Sequence, residues 1–315
     1  MLSPQIGRRP AAPLLLLLST GMFLSACTRK SVEVSGAQAA LPSAASPAES
    51  ATPSATPAGK EDTESPSGLD LGKLDELERK IFFRIVNHEA SACGKGHSLI
   101  FSVKNDRGCR KSHYAIRYVL RLVSGGFTDS EVEKALEERY RKVEIKTIDI
   151  AGSPTKGNPN AAVKLVEFVD YECPHCRLIQ PVFKQIVEEF KTDVSVTLKH
   201  YPLGQHTNAR LAAAAGVAAH KQGKFWALSD KVWENADSIT KSKLEQLAAE
   251  VGLDLERFRK DLDDPASADA VQKDKDEGGR LGIRSTPTIY INGQLYTDGR
   301  DAESLRDWIL EALGR

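Results

Sequence analysis

The stretch Glu167-Phe168-Val169-Asp170-Tyr171-Glu172-Cys173-Pro174-His175-Cys176 decides the fold. An apolar run from Ala161 to Val169, with Val163, Leu165, Val166 and Phe168, reads as a buried strand. It stops at a short acidic turn. A helical pattern then begins at Cys173, with Leu178, Ile179, Val182, Phe183, Ile186, Val187 and Phe190 at helical spacing. One cysteine therefore stands at the start of a helix and the other one turn along the same face. The helix dipole and unpaired N–H groups there favour a thiolate at Cys173. Pro174 suits the first turn, where its missing N–H costs nothing. In such a pair the first sulfur is expected to be exposed and the second to lie inward.

Working outward, Val143 to Ile150 alternates and reads as a strand, followed by a Gly/Pro/Asn loop over 151–160. Val194 to His200 reads as another strand. About 80 residues with five helical patterns follow Tyr201-Pro202-Leu203. The chain closes with a strand from Thr288 to Ile291, an Asn292-Gly293 hairpin turn, a strand from Gln294 to Thr297, and a helix from Ala302 to Leu313.

The phrase Glu-Phe-x-x-Tyr-x-Cys-Pro-His-Cys after a strand resembles the DsbA-like branch of the thioredoxin superfamily. Pro181, eight residues after Cys173, matches the kinking proline of thioredoxin's own active-site helix. Ser285-Thr286-Pro287-Thr288-Ile289-Tyr290-Ile291-Asn292-Gly293 fits the family's cis-proline loop, whose backbone pairs with the client chain. The resemblance covers residues 143–315. It implies an α/β thioredoxin fold with a helical insertion, and thiol–disulfide exchange with client cysteines through Cys173 and Cys176. Pro174 and His175 would tune the pair. Glu167, six residues before Cys173, matches the buried acid of such sites and would relay protons to the inner cysteine. Thr286 and Pro287 would meet the client. DsbA itself tends to Val before the proline and isomerase-like relatives to Thr, so disulfide isomerase or reductase stands as the alternative to oxidase. In another class, a peptide- or partner-binding module would keep the pair as a staple. No cofactor or metal is expected.

The first half carries address and anchor. Arg8 and Arg9 precede an apolar run from Leu14 to Leu24, too short to span a bilayer permanently. It reads as a signal peptide over residues 1–26. Leu24-Ser25-Ala26-Cys27 resembles the lipobox of bacterial lipoproteins, which implies lipidation of Cys27 and an anchor in the cell envelope facing the periplasm. Residues 27–68, mostly Ala, Ser, Pro, Thr and Glu, cannot bury enough surface to fold and read as a disordered tether. Residues 69–142 read as a small helical domain. Leu71, Leu74, Leu77, Ile81 and Ile85 make one stripe and Tyr114 to Leu122 a second. A third helix is capped by Thr128 and Glu131 in a capping box.

Five cysteines less the one at position 27 leave an even number, suited to an oxidising compartment. Cys93 and Cys109 pair by elimination as a structural disulfide, with a second redox pair or free thiols as alternatives. Balanced charge, 43 Lys+Arg against 43 Asp+Glu, points to no nucleic-acid partner. The expected partners are cysteine-containing clients, a DsbB-like membrane protein that re-oxidises the pair, and the membrane itself.

Overall fold

The computed structural model describes residues 61–315. The signal peptide, Cys27 and most of the expected tether lie outside the described residues. The tether does not continue to residue 68. Asp62 exchanges hydrogen bonds with Asn87 and takes Lys104 Nζ on both carboxylate oxygens at 2.7 and 2.8 Å, so this end of the segment is tied to the helical domain.

That domain contains α1 (Glu76–His88), α2 (Leu99–Asn105), α3 (Arg110–Ser124) and α4 (Asp129–Leu136), the last running on into a π turn at Glu137–Arg141. An Asp75–Glu78 capping box fixes the start of α1. Leu71 and Leu74 therefore enter the core from the preceding loop, and Leu77 is left 66% exposed rather than on the stripe. The short α2, capped by Ser98, escaped the periodicity reading because it spans barely two turns. Phe82, Val86, Leu99, Ile116, Val119 and Val132 close a separate core between these helices. Thr128 and Glu131 form the expected box at α4.

A five-stranded sheet in the order β1-β3-β2-β4-β5 follows, built from β1 (Thr155–Gly157), β2 (Val163–Val169), β3 (Val194–His200), β4 (Thr288–Ile291) and β5 (Gln294–Leu295). The β2–β3 pair is parallel and the others antiparallel. Central β2 is covered on both faces, so six of its seven residues are buried, including Glu167.

Two expectations about strands fail. Residues 143–150 form none. Only Ile145 bridges to Gln294, because β5 offers a two-residue edge, while Ile148 and Ile150 pack over Phe168 and Tyr290. A strand forms instead inside the expected loop, at β1, where Thr155 to Gly157 find the free edge of β3. Asn292 and Gly293 take the positive φ angles of 48° and 82° that a tight two-residue hairpin requires. β5 ends two residues sooner than expected.

Helix α5 (Pro174–Glu189) runs on from β2 and packs on the sheet beside α11 (Ala302–Ala312). The insertion holds five helices: α6 (Ala209–His220), α7 (Phe225–Glu234), α8 (Lys241–Glu250), α9 (Leu255–Asp263) and α10 (Pro265–Arg280). Its alanine-rich α6 lets neighbouring helices approach closely around a core that reaches Tyr171, Cys173 and Cys176.

The helical domain is keyed into the C-terminal part of the sheet domain by charge. Arg117 grips Asp307 at 2.7 Å and Arg121 bridges Asp307 and Asp298 at 2.9 and 2.5 Å. Arg139, with 2% of its side chain exposed, reaches Asp298 at 3.2 Å and Glu311 at 2.8 Å and stacks over Trp308. Bidentate guanidinium–carboxylate geometry with aromatic stacking is what makes arginine suited to a buried junction.

Candidate active site

The acidic turn between β2 and α5 is held by its own side chain. Asp170, almost fully buried, accepts hydrogen bonds from the N–H groups of Glu172 and Leu203 and contacts His206 Nδ1 at 2.7 Å. Its carbonyl takes the N–H of Cys173 at 3.0 Å, which sets that residue as the N-cap of α5. Sequence reasoning gave His206 no part in this.

Cys173 and Cys176 are free thiols in this structure. Contrary to the expectation of an exposed first sulfur, Cys173 is only 5% exposed, within the core cluster that also holds Tyr171 and Trp233 and against the Thr286 carbonyl; Cys176 is fully buried. The two thiols have opposite electrostatics. Cys173 is pulled down to about 5 by the Cys176 thiol hydrogen bond first, with further help from the N–H groups of Cys176 and His175; burial opposes this. One contact points the other way: the Cys173 thiol donates to the Thr286 carbonyl at 3.3 Å, which favours the protonated form. The several donors outweigh that single acceptor. Cys176 is pushed far above a normal thiol, chiefly by burial.

Pro174 and His175 are exposed on the first turn, so the His175 contribution inside the site comes through its backbone N–H. The Thr286–Pro287 bond is cis and lies against Cys173. The Thr286 hydroxyl is buried with no hydrogen-bond partner. Glu167 is fully buried, and burial raises its carboxyl to about 8. One of its oxygens accepts from Gln180 Nε2 at 3.1 Å; the other has no partner. Gln180 also donates to the Cys176 carbonyl at 3.2 Å, linking acid and inner cysteine. Sequence reasoning missed Gln180. The signal was present: it is a polar residue one turn beyond Cys176 on the otherwise apolar buried face of the helix.

Elsewhere in the core, Lys199 is buried and paired with Asp274 and Glu277 at 2.6 and 3.0 Å, and His200 sits buried against Tyr171 and Phe225. Neither joins the cysteines. Cys93 and Cys109 are bonded to each other in the helical domain, with Cα atoms 6.0 Å apart. Among the described residues, no group of three or more His, Cys, Asp or Glu side chains is placed to hold a metal ion, and no helix is long and apolar enough to cross a membrane.

A strand-to-helix Cys-x-x-Cys facing a cis-proline, with a buried acid behind it, defines a thioredoxin-like site. The family profile described as thioredoxin matches residues 150–311, just over half of the chain, and the chain belongs to that family. Its fold is of the DsbA-like kind, with the helical insertion after β3. Among solved structures it is similar to oxidised BdbD from Bacillus subtilis, with a TM-score of 0.50 and 28% identity, covering 55% of this chain and 99% of that one. It is also similar to the thiol-disulfide exchange protein α-DsbA2 from Wolbachia pipientis, at a TM-score of 0.47 and 21% identity over 50% of this chain and 86% of that one. The Na(+)/H(+) antiporter NhaA 3 of Salinispora tropica is 32% identical over 158 residues, which are 50% of this chain and 24% of the antiporter. The chain thus spans about a quarter of the length of such relatives.

Proposed function

We propose that this chain is a thiol–disulfide oxidoreductase that forms disulfides in client proteins. The observation that carries the proposal is the opposed pair of thiols, Cys173 held near 5 and Cys176 pushed up, on one turn of helix. A client thiolate attacks Cys173 Sγ of the oxidised pair and the Cys173–Cys176 bond breaks. Cys176 departs and takes a proton, for which Glu167, poised near 8 and linked through Gln180 to the Cys176 carbonyl, is the buried acid of the site. A second client thiolate then attacks the client sulfur of the mixed disulfide, and Cys173 leaves as the favoured thiolate. The client loses two electrons and the cysteine pair gains them. A low leaving-group pKa speeds that departure and makes the pair more oxidising.

The cycle needs re-oxidation, and the resemblance supplies the class of partner: a DsbB-like membrane protein. An envelope location, with an anchor at Cys27, is supported by the lipobox-like leader and by the Cys93–Cys109 disulfide, a bond that persists in oxidising compartments. The alternative, an isomerase or reductase, is favoured by Thr286 ahead of Pro287, where DsbA tends to Val.

Equilibration of the Cys173–Cys176 pair with glutathione tests the proposal. A potential toward about −120 mV supports the oxidase; a value near −270 mV, typical of thioredoxin, overturns it in favour of a reductase. A pair that never equilibrates leaves a binding module.

A further inference from the structure

Beside the cysteines lies a groove of about 650 Å³, bounded by His175 and Leu178 of α5, by Pro287, and by Leu295 with the loop from Thr297 to Arg300. Part of its wall is apolar and open, since Leu178 is 70% and Leu295 45% exposed. Its charge is set by two residues of the same loop with opposite fates. Asp298, the one carboxylate among the described lining residues, is turned away with 1% of its side chain exposed. Arg121 grips it through two hydrogen bonds of 2.9 and 2.5 Å, and Arg139 adds a third at 3.2 Å. Tyr118 of the same helical domain holds Thr297 Oγ1 at 3.0 Å. The domain thereby cancels the negative charge of the groove wall and pins the loop. Arg300 is exposed and makes no ion pair among the described residues. Its neighbour Asp301 is spent on capping α11, accepting from the N–H and hydroxyl of Ser304 at 2.9 and 2.8 Å. Arg177, nearer the cysteines, is already paired with Asp237 at 2.9 Å.

We propose that this groove selects client segments in which an apolar residue and a carboxylate accompany the reacting cysteine, with Arg300 as the residue that reads the carboxylate. The inference rests on the exchange reading above. The apolar residue covers Leu178 and Leu295, and the carboxylate meets the one guanidinium of the loop left without a partner. An exposed ion pair contributes about two- to fivefold in affinity or rate, and salt screens it. The selection is therefore a modest preference among many clients.

The test uses the full chain, oxidised at Cys173–Cys176, and three synthetic peptides, Cys-Leu-Glu, Cys-Leu-Gln and Cys-Leu-Lys, each acetylated at its N-terminus and amidated at its C-terminus so that only the last side chain differs in charge. Mixed-disulfide formation is followed by stopped-flow fluorescence, and each rate is divided by that of 2-mercaptoethanol with the same protein. The expected order is Glu above Gln above Lys, about two- to fivefold per step at low salt and collapsing in concentrated salt. Arg300→Glu should invert the order. Equal normalised rates for the three peptides, or an order that survives Arg300→Glu, overturn the inference while leaving the exchange reading intact. No reaction with any thiol, 2-mercaptoethanol included, overturns the exchange reading and this inference with it.

Discussion

Both cysteine pairs of this molecule put one sulfur at a helix start, and their surroundings differ in every other respect. Cys109 is the N-cap of α3 and Cys173 the N-cap of α5. Cys109 is bonded to Cys93 across a 16-residue separation, with Ser112 and Ser91 hydroxyls within 3.1 and 3.6 Å of its sulfur. Cys173 has its partner one turn away, a proline between them, a proline loop against its sulfur and a buried acid behind Cys176. A helix N-terminus favours a thiolate at Cys173, whereas the sulfur of Cys109 is held in its disulfide. Only the second adds another free thiol on the same face and a buried carboxyl behind it. The first has the makings of a staple that limits the unfolded chain; the second has those of a reversible exchanger.

Three experiments strain that comparison. The largest effect is expected for Cys173→Ala, which removes the attacked sulfur and should abolish disulfide formation in a reduced client by at least about a thousandfold, as loss of a covalent nucleophile does. A variant that keeps its activity would reduce the pair to a staple like the other. Next, Cys93→Ser/Cys109→Ser should leave client oxidation intact while lowering stability by about 3 kcal/mol, the loop-closure value for this separation, read as a shift in the urea midpoint. Lost activity with retained stability would make it a second redox centre.

The smallest and most specific effect concerns Glu167. Its carboxyl, ordinarily near 4.5, is raised to about 8 in the fold. The stability contributed by its neutral form is present below the unfolded value and lost as pH rises through the folded one. Glu167→Gln should therefore raise the unfolding midpoint clearly at pH 9 and only slightly at pH 5. Thermal unfolding at the two pH values checks this, and a pH-independent gain would show that the carboxyl is not the buried acid of the site.

Much of the site was legible because its chemistry is local. Cys173, Pro174, His175 and Cys176 sit on one turn, and the strand before them and the helix after them each carry a clear period. Pro287 was legible through its phrase, Ser-Thr-Pro-Thr-Ile-Tyr-Ile-Asn-Gly. Gln180, Asp170 and His206 were not, since their roles consist of contacts made at a distance. Asp170 closes on Leu203 and His206, more than 30 residues away, and nothing in either segment announces the other.

Local sequence by itself determined the strand–turn–helix, the capping boxes, the hairpin at Asn292-Gly293 and the chemistry available at the two cysteines, because each depends on neighbours within a turn or two. Tertiary structure alone decided which alternating segment found a strand partner. Val143 to Ile150 alternates yet meets only a two-residue edge, whereas Thr155 to Gly157 lies where β3 had free N–H and C=O groups. It also decided the charge of the groove. Asp298 and Arg300 look alike in sequence as exposed loop residues, and only the docking of Arg121 and Arg139 from the helical domain buries one charge and leaves the other facing solvent. Pairing between distant groups is set by the packing that brings them together, and the local pattern of either segment carries no record of it.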